Sequence, residues 1–94
     1  MNIRGLIWSE EIIDKLEQKH NITPDEVEEV LKGEPKFLKM EKGRVEGENL
    51  YNALGQTASV RYLSVFFIYK YNRQALIVTA REMNRKERRY YGKR

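Results

Sequence analysis

The sequence predicts an α+β domain, with two N-terminal helices, a four-stranded antiparallel sheet and a short C-terminal helix, all within one domain spanning residues 1–94. Three observations lead there. Thr23-Pro24-Asp25-Glu26 has the form of a helix start: a capping hydroxyl, proline at the first helical position, and glutamate three residues after the cap. Beyond Pro35 the apolar spacing changes from helical to alternating, the period of a strand. Asn84 followed by Glu87 repeats the capping pattern near the end of the chain.

Taken in order, Ser9 can cap a first helix over residues 9–20. Glu10 and Glu11 suit the positive end of its dipole, and Ile12, Ile13, Leu16 and His20 fall on one face. In the second helix Ile22 can staple to Val27, and Val27, Val30 and Leu31 form the buried stripe. Gly33 is expected to supply a left-handed cap, with Pro35 as the stop. Phe37 to Met40 reads as a brief strand and Lys42-Gly43-Arg44 as a turn. Leu50 to Thr57, Val60 to Tyr71 and Gln74 to Arg81 read as three further strands. Short connections at Ala58-Ser59 and Asn72-Arg73 make them antiparallel hairpins. The second of these three is apolar on both faces, as in a central strand covered by helices on both sides. The terminal helix runs from Arg85 to Tyr91.

Composition excludes several function classes. A chain of 94 residues buries roughly 60–65% of its extended surface, enough for a compact core but not for a deep cofactor pocket. There is no cysteine and a single histidine, so disulfides, thiol nucleophiles and a structural zinc site are ruled out. No glycine loop has phosphate-binding spacing, and no cofactor is expected. The longest apolar run, Leu63 to Tyr69, contains a serine and is far short of the ~20 residues that cross a bilayer. No signal-peptide pattern opens the chain, so a cytoplasmic protein without membrane contact is expected.

Charge is unevenly placed. Residues 1–47 carry 8 basic and 11 acidic groups, whereas residues 48–94 carry 10 basic and 3 acidic ones. The net values are −3 and +7, which matches the +4 of the whole chain. Such a basic half suits a polyanion or an acidic protein partner; the alternative is a solvated lysine and arginine surface. The basic residues gather at Arg81, Arg85, Lys86, Arg88 and Arg89 and interleave with Tyr90 and Tyr91. Guanidinium groups bind phosphate bidentately and tyrosine rings stack on unpaired bases, so this is a candidate surface for single-stranded RNA. Arg81 ends an apolar strand and must lie at the sheet edge. Arg61 opens the neighbouring strand at the same end, so the two either converge on a ligand or pair with Glu82 or Glu87. As a surface-edge charge, Arg81 is expected to add little to stability. His20 is the only side chain with an unperturbed pKa near neutrality; it is either a general base or a cap on the helix C-terminus. Trp8 reads as a core or edge anchor, with base stacking as the alternative.

A resemblance covers nearly the whole chain. Trp8, Lys19-His20, Glu28-Glu29-Val30-Leu31, Gly47-Glu48, Ala53-Leu54-Gly55-Gln56-Thr57, Arg61-Tyr62-Leu63, Ala80-Arg81 and Glu87-Arg88-Arg89-Tyr90 resemble the BrnT family of bacterial toxins. The resemblance implies a RelE-like fold, ribonuclease activity, RNA as target, and neutralisation by a BrnA-like antitoxin in a dimer or a toxin–antitoxin hetero-oligomer. Carried onto this sequence, the site residues are His20, Arg61, Arg81, Glu87, Arg88 and Tyr90. Arg85, Lys86, Arg89 and Tyr91 are added as RNA contacts. RNA can be cleaved without metal by its own 2′-hydroxyl, and the assignment that suits these residues has Arg61, Arg81 and Arg88 hold the phosphate, His20 or Glu87 take the proton, and Tyr90 stack or donate a proton. Val60 stands where the family usually has glycine, Leu50 where many members have arginine, and Ile12 where lysine is common. The rival readings are a non-catalytic, ParE-like binding module and an inactive relative on the same fold.

Overall fold

The computed structural model describes residues 1–41 and 48–93, with backbone only at Glu41. The turn expected at Lys42-Gly43-Arg44, and Gly47 of the Gly-Glu pair, lie outside the described residues. The elements are β1 (Gly5–Ile7), α1 (Glu10–His20), α2 (Pro24–Lys32), β2 (Lys36–Glu41), β3 (Asn49–Gln56), β4 (Tyr62–Tyr69), β5 (Gln74–Glu82) and α3 (Arg85–Tyr91). No helix among the described residues is long and apolar enough to cross a membrane.

The three helix starts form as the sequence dictates. Ser9 accepts from the Ile12 N–H, and Thr23 and Asn84 each complete a reciprocal capping box with Glu26 and Glu87. The ends differ from expectation. Gly33 lies at φ −77°, so it is not a left-handed cap; α2 ends there because the chain turns toward Pro35. The left-handed cap is instead Asn21, at φ 53° and ψ 43°, whose N–H returns to the Glu17 and Leu16 carbonyls at the end of α1.

The sheet departs from expectation in one strand. It has five strands in the order β1-β5-β4-β3-β2 and is mixed, because β1 runs parallel to β5 at one edge. The four expected strands are antiparallel to one another. Three residues are too few for alternation to register, and a parallel partner 69 positions away, as in Gly5 opposite Gln74, leaves no local turn signal. Two hairpin turns are closed by residues in the left-handed region, Val60 (φ 67°) and Arg73 (φ 68°). In each, the N–H of that residue bonds back three positions, to Thr57 and to Lys70.

The front face of the sheet holds the core. Phe37, Ala53, Val65 and Ala80 lie side by side across four strands, and Tyr51, Phe67 and Ile77 form the next row. Leu16 of α1 and Val27, Val30 and Leu31 of α2 close over them, and Trp8 packs on the margin as expected. A Cβ on Gly55 would come within 2.8 Å of a Val30 methyl, so β3 needs glycine where α2 crosses it.

The back face is only partly covered. The row Lys36, Leu54, Ser64 and Arg81 runs beneath α3. Farther along, Phe66, Ile68, Leu50 and Leu76 remain half-buried, so the central strand is roofed by helices on one face and at one end of the other.

Candidate nucleic-acid interface

The expected cations meet at one end of the sheet, but on different faces. Alternation along β4 sends Arg61 toward the front and Tyr62 toward the back. Arg61 Nη1 donates to the Asn21 carbonyl at 2.8 Å and to both carboxylate oxygens of Glu26 at 3.0 and 2.9 Å. Its Nη2 reaches the His20 carbonyl at 3.4 Å and lies 3.8 Å from Glu82. Arg61 thus joins the left-handed end of α1 to the first turn of α2. Burial pushes the Glu26 carboxyl up, but the Thr23 N–H and the Arg61 guanidinium outweigh it and hold the group below its ordinary value.

Arg81 lies on the back face. Its Nη1 and Nη2 fork onto Glu87 at 2.6 and 2.9 Å, and Nη1 also donates to the Glu82 carbonyl at 3.2 Å. The guanidinium carbon sits 5.3 Å from the centre of the Phe66 ring. Glu87 accepts in addition from the Asn84 N–H at 2.9 Å and from the Ser64 hydroxyl at 3.2 Å. Burial raises its pKa, and hydrogen bonds from Arg81 and Asn84, Arg81's charge and the Ser64 hydroxyl lower it by more, so the carboxyl stays ionised below the usual range. Arg81 is therefore not the loosely held edge charge that the sequence predicted. It is 36% exposed, but its partner is only 16% exposed, and a two-point fork onto a half-buried carboxylate is not a median surface pair.

Helix α3 lies across the row between these anchors. Lys36, at the far end, donates to the Tyr90 carbonyl at 2.9 Å and to the Lys93 carbonyl, where a cation complements the helix C-terminus. Arg88 stacks 3.6 Å above the Tyr62 ring, which meets Tyr91 edge to face at 6.1 Å. Arg61, Tyr62, Glu82, Met83 and Arg88, with Val60, line a cleft of about 360 Å³ at the sheet end. It bridges the two faces.

Not every expected residue joins this cluster. Tyr90 turns to the opposite flank of α3, where its ring lies 5.2 Å from the Lys36 ammonium. His20 is half-buried beside the Arg61 anchor and does not line the cleft. Arg85, Lys86 and Arg89 are exposed on α3, with no ion pair among the described residues. No group of three or more His, Asp or Glu with metal-binding geometry occurs among the described residues. The sheet end thus gathers basic groups beside tyrosine rings, the charge and aromatic faces that polyanion-binding surfaces combine.

A family model described as the ribonuclease toxin BrnT of type II toxin–antitoxin systems matches residues 8–87. The chain belongs to this family. No curated protein sequence matches it. Membership of the BrnT family implies an antitoxin partner. The glycine that the resemblance leads one to expect at Val60 would suit the backbone there: the position is left-handed, a conformation that costs a β-branched residue energy and glycine none.

Sequence reasoning missed four participants. From the sequence Glu26 reads as a cap and a solvated first-turn charge, but a capping-box glutamate keeps lone pairs for an arginine from elsewhere. Tyr62 is half-buried in a strand that reads as apolar throughout. Asn52 and Ser64 are almost fully buried among apolar neighbours; the polar residues inside apolar runs were the only signal.

Proposed function

We propose that this chain is a metal-independent endoribonuclease toxin of the cytoplasm, acting on RNA with Arg81 and Arg88 at the scissile phosphate. The observation that carries the reading is Arg81, held by a fork onto Glu87 and flanked on α3 by the unpaired cations Arg85, Lys86 and Arg89. In the reaction the substrate's 2′-hydroxyl attacks the adjacent phosphorus, the bond to the 5′-oxygen breaks, and a 2′,3′-cyclic phosphate and a 5′-hydroxyl form. One proton leaves the 2′-oxygen and one arrives on the 5′-oxygen. Arginines placed in advance stabilise the charge that develops between these events, usually the largest single contribution to rate.

Glu87 already receives four hydrogen bonds and His20 lies at the front anchor outside the cleft, so in this reading neither takes the 2′-proton, which passes to water while the arginines hold the phosphate. Arg61 acts through the backbone of His20 and Asn21, fixing the end of α1. Tyr62 and Tyr91 supply the stacking surface, while Tyr90 packs with Lys36 and serves α3. A BrnA-like antitoxin with acidic groups covers the exposed cations of α3.

The test is incubation of the purified protein with an RNA oligonucleotide in excess chelator, followed by analysis of product ends. Cleavage leaving 2′,3′-cyclic phosphates is expected. Retention of RNA without cleavage would support the binding-module alternative, and cleavage abolished by chelator would overturn the metal-independent mechanism.

A further inference from the structure

The back face contains polar groups that the core does not need. Ser64 is fully buried and Asn52 is 2% exposed. They lie on adjacent strands beneath α3, where a pair of small apolar residues would avoid desolvating a hydroxyl and an amide. Instead, the Asn52 amide donates to the Ser64 oxygen at 2.7 Å and to the Val65 carbonyl at 3.2 Å. The Ser64 hydroxyl, which accepts from Asn52, donates to Glu87 Oε2 at 3.2 Å. Ser64 also stands directly opposite Arg81 in the β4–β5 register.

The donors of Arg81 can be counted one by one. A guanidinium carries five N–H groups. The two on Nη1 go to Glu87 and the Glu82 carbonyl, and one on Nη2 goes to Glu87. The second Nη2 hydrogen and the Nε hydrogen have no partner among the described residues. Together they form the side edge of the guanidinium, a two-point donor matching two oxygens of a phosphodiester. Glu87 occupies one edge so that the other is presented at a fixed angle, with the Phe66 ring as its floor.

We propose that Asn52, Ser64 and Glu87 form a positioning chain that fixes the Arg81 guanidinium and aims its free edge at a phosphodiester of RNA. The proposal rests on the reading of Arg81 as the phosphate-facing residue. Glu87 is then a positioning residue and not the base. Taking a proton from a 2′-hydroxyl would require it to release one of four hydrogen bonds, and its ionised form is what holds the arginine.

Two substitutions at Ser64 separate positioning from packing. Ser64→Cys keeps the volume and loses the strong donor, while Ser64→Thr keeps the hydroxyl. With folding verified by thermal melting, Ser64→Cys is expected to lower kcat for RNA cleavage about ten- to a hundredfold, the scale of a slightly misplaced catalytic group, with KM little changed. Ser64→Thr should restore most of the rate. In an Arg81→Ala background, Ser64→Cys should cause no further loss. A second readout needs no RNA: nitrogen NMR of the free protein should show separate, slowly rotating Nη signals for Arg81 that merge in Ser64→Cys. Wild-type kcat in folded Ser64→Cys, or Arg81 signals unaffected by the substitution, would overturn the proposal. If the wild type cleaves no RNA, the ribonuclease reading falls by itself, and the NMR result still decides whether Ser64 fixes Arg81.

Discussion

Two corners of this fold are built alike and are used differently. In each, a capping-box glutamate at a helix start accepts from an arginine on or beside a strand: Glu26 from Arg61 at α2, and Glu87 from Arg81 at α3. At the front corner both terminal nitrogens of Arg61 are turned inward, onto Glu26 and the carbonyls that end α1. At the back corner Arg81 holds only α3, a helix that carries the exposed cations Arg85, Lys86 and Arg89 with no ion pair among the described residues. The contrast teaches that an arginine–glutamate pair beside a helix is a strut or a ligand holder according to what it ties: two helix backbones at the front, one cation-bearing helix at the back. The same capping chemistry serves both.

The largest expected difference between the corners is in salt response. If the back corner binds RNA through about four or five cations, affinity should fall by roughly a hundredfold between 50 and 200 mM salt, by counterion release from a single strand. Arg85→Ala or Arg89→Ala should flatten that dependence measurably in a fluorescence-anisotropy titration, and Arg61→Ala should leave the slope unchanged. An equal change of slope at both corners would erase the distinction.

Stability should show the reverse order. Arg61→Ala leaves the half-buried Glu26 without its cation and frees the end of α1, at an expected cost of about 2–3 kcal/mol in chemical unfolding. Arg85→Ala and Arg89→Ala, which remove exposed groups, should stay within about 0.5 kcal/mol.

Acid should weaken both corners. Because the Glu26 and Glu87 carboxyls lie below their ordinary value of 4.5 when folded, their stabilisation is complete above that pH. It is lost as pH falls through the folded values. Thermal melts from pH 6 to 3 should therefore drop steeply, and Glu26→Gln with Glu87→Gln should start lower and respond less. A double variant with the wild-type slope would show that the two pairs are not the acid-sensitive groups.

The smallest effect sharpens the front corner. Val60 precedes Arg61 at φ 67° and is 61% exposed, so Val60→Gly relieves strain and removes little packing. A gain of about 0.5–1 kcal/mol in equilibrium unfolding is expected, with Arg61 still bonded to Glu26.

Much of this arrangement is legible in the sequence because it is local. The three helix starts, the two hairpins and the basic run on α3 each depend on residues within a few positions of one another. Long-range geometry is not legible. Glu26 and Arg61 meet across 35 positions, and β1 finds β5 across the whole domain with only Gly5, Leu6 and Ile7 to announce it. Side-chain direction was hidden as well. Arg61 and Arg81 share one end of the sheet as their strands require, but alternation along β4 and β5 puts them on opposite faces. Tyr90 and Tyr91, adjacent in sequence, part to opposite flanks of α3 because neighbours on a helix point about 100° apart.

The central claim is that the back corner does the chemistry and the front corner holds it up. Cleavage of one RNA oligonucleotide by wild type, Arg81→Ala and Arg61→Ala, each shown to be folded at the assay temperature, tests it in a single comparison. Arg81→Ala should lose about 10²–10³-fold in kcat, as expected when a donor to the developing charge is removed. Arg61→Ala should stay within about tenfold of wild type despite melting lower. Undiminished cleavage by folded Arg81→Ala, or a larger loss for Arg61→Ala, would contradict the assignment.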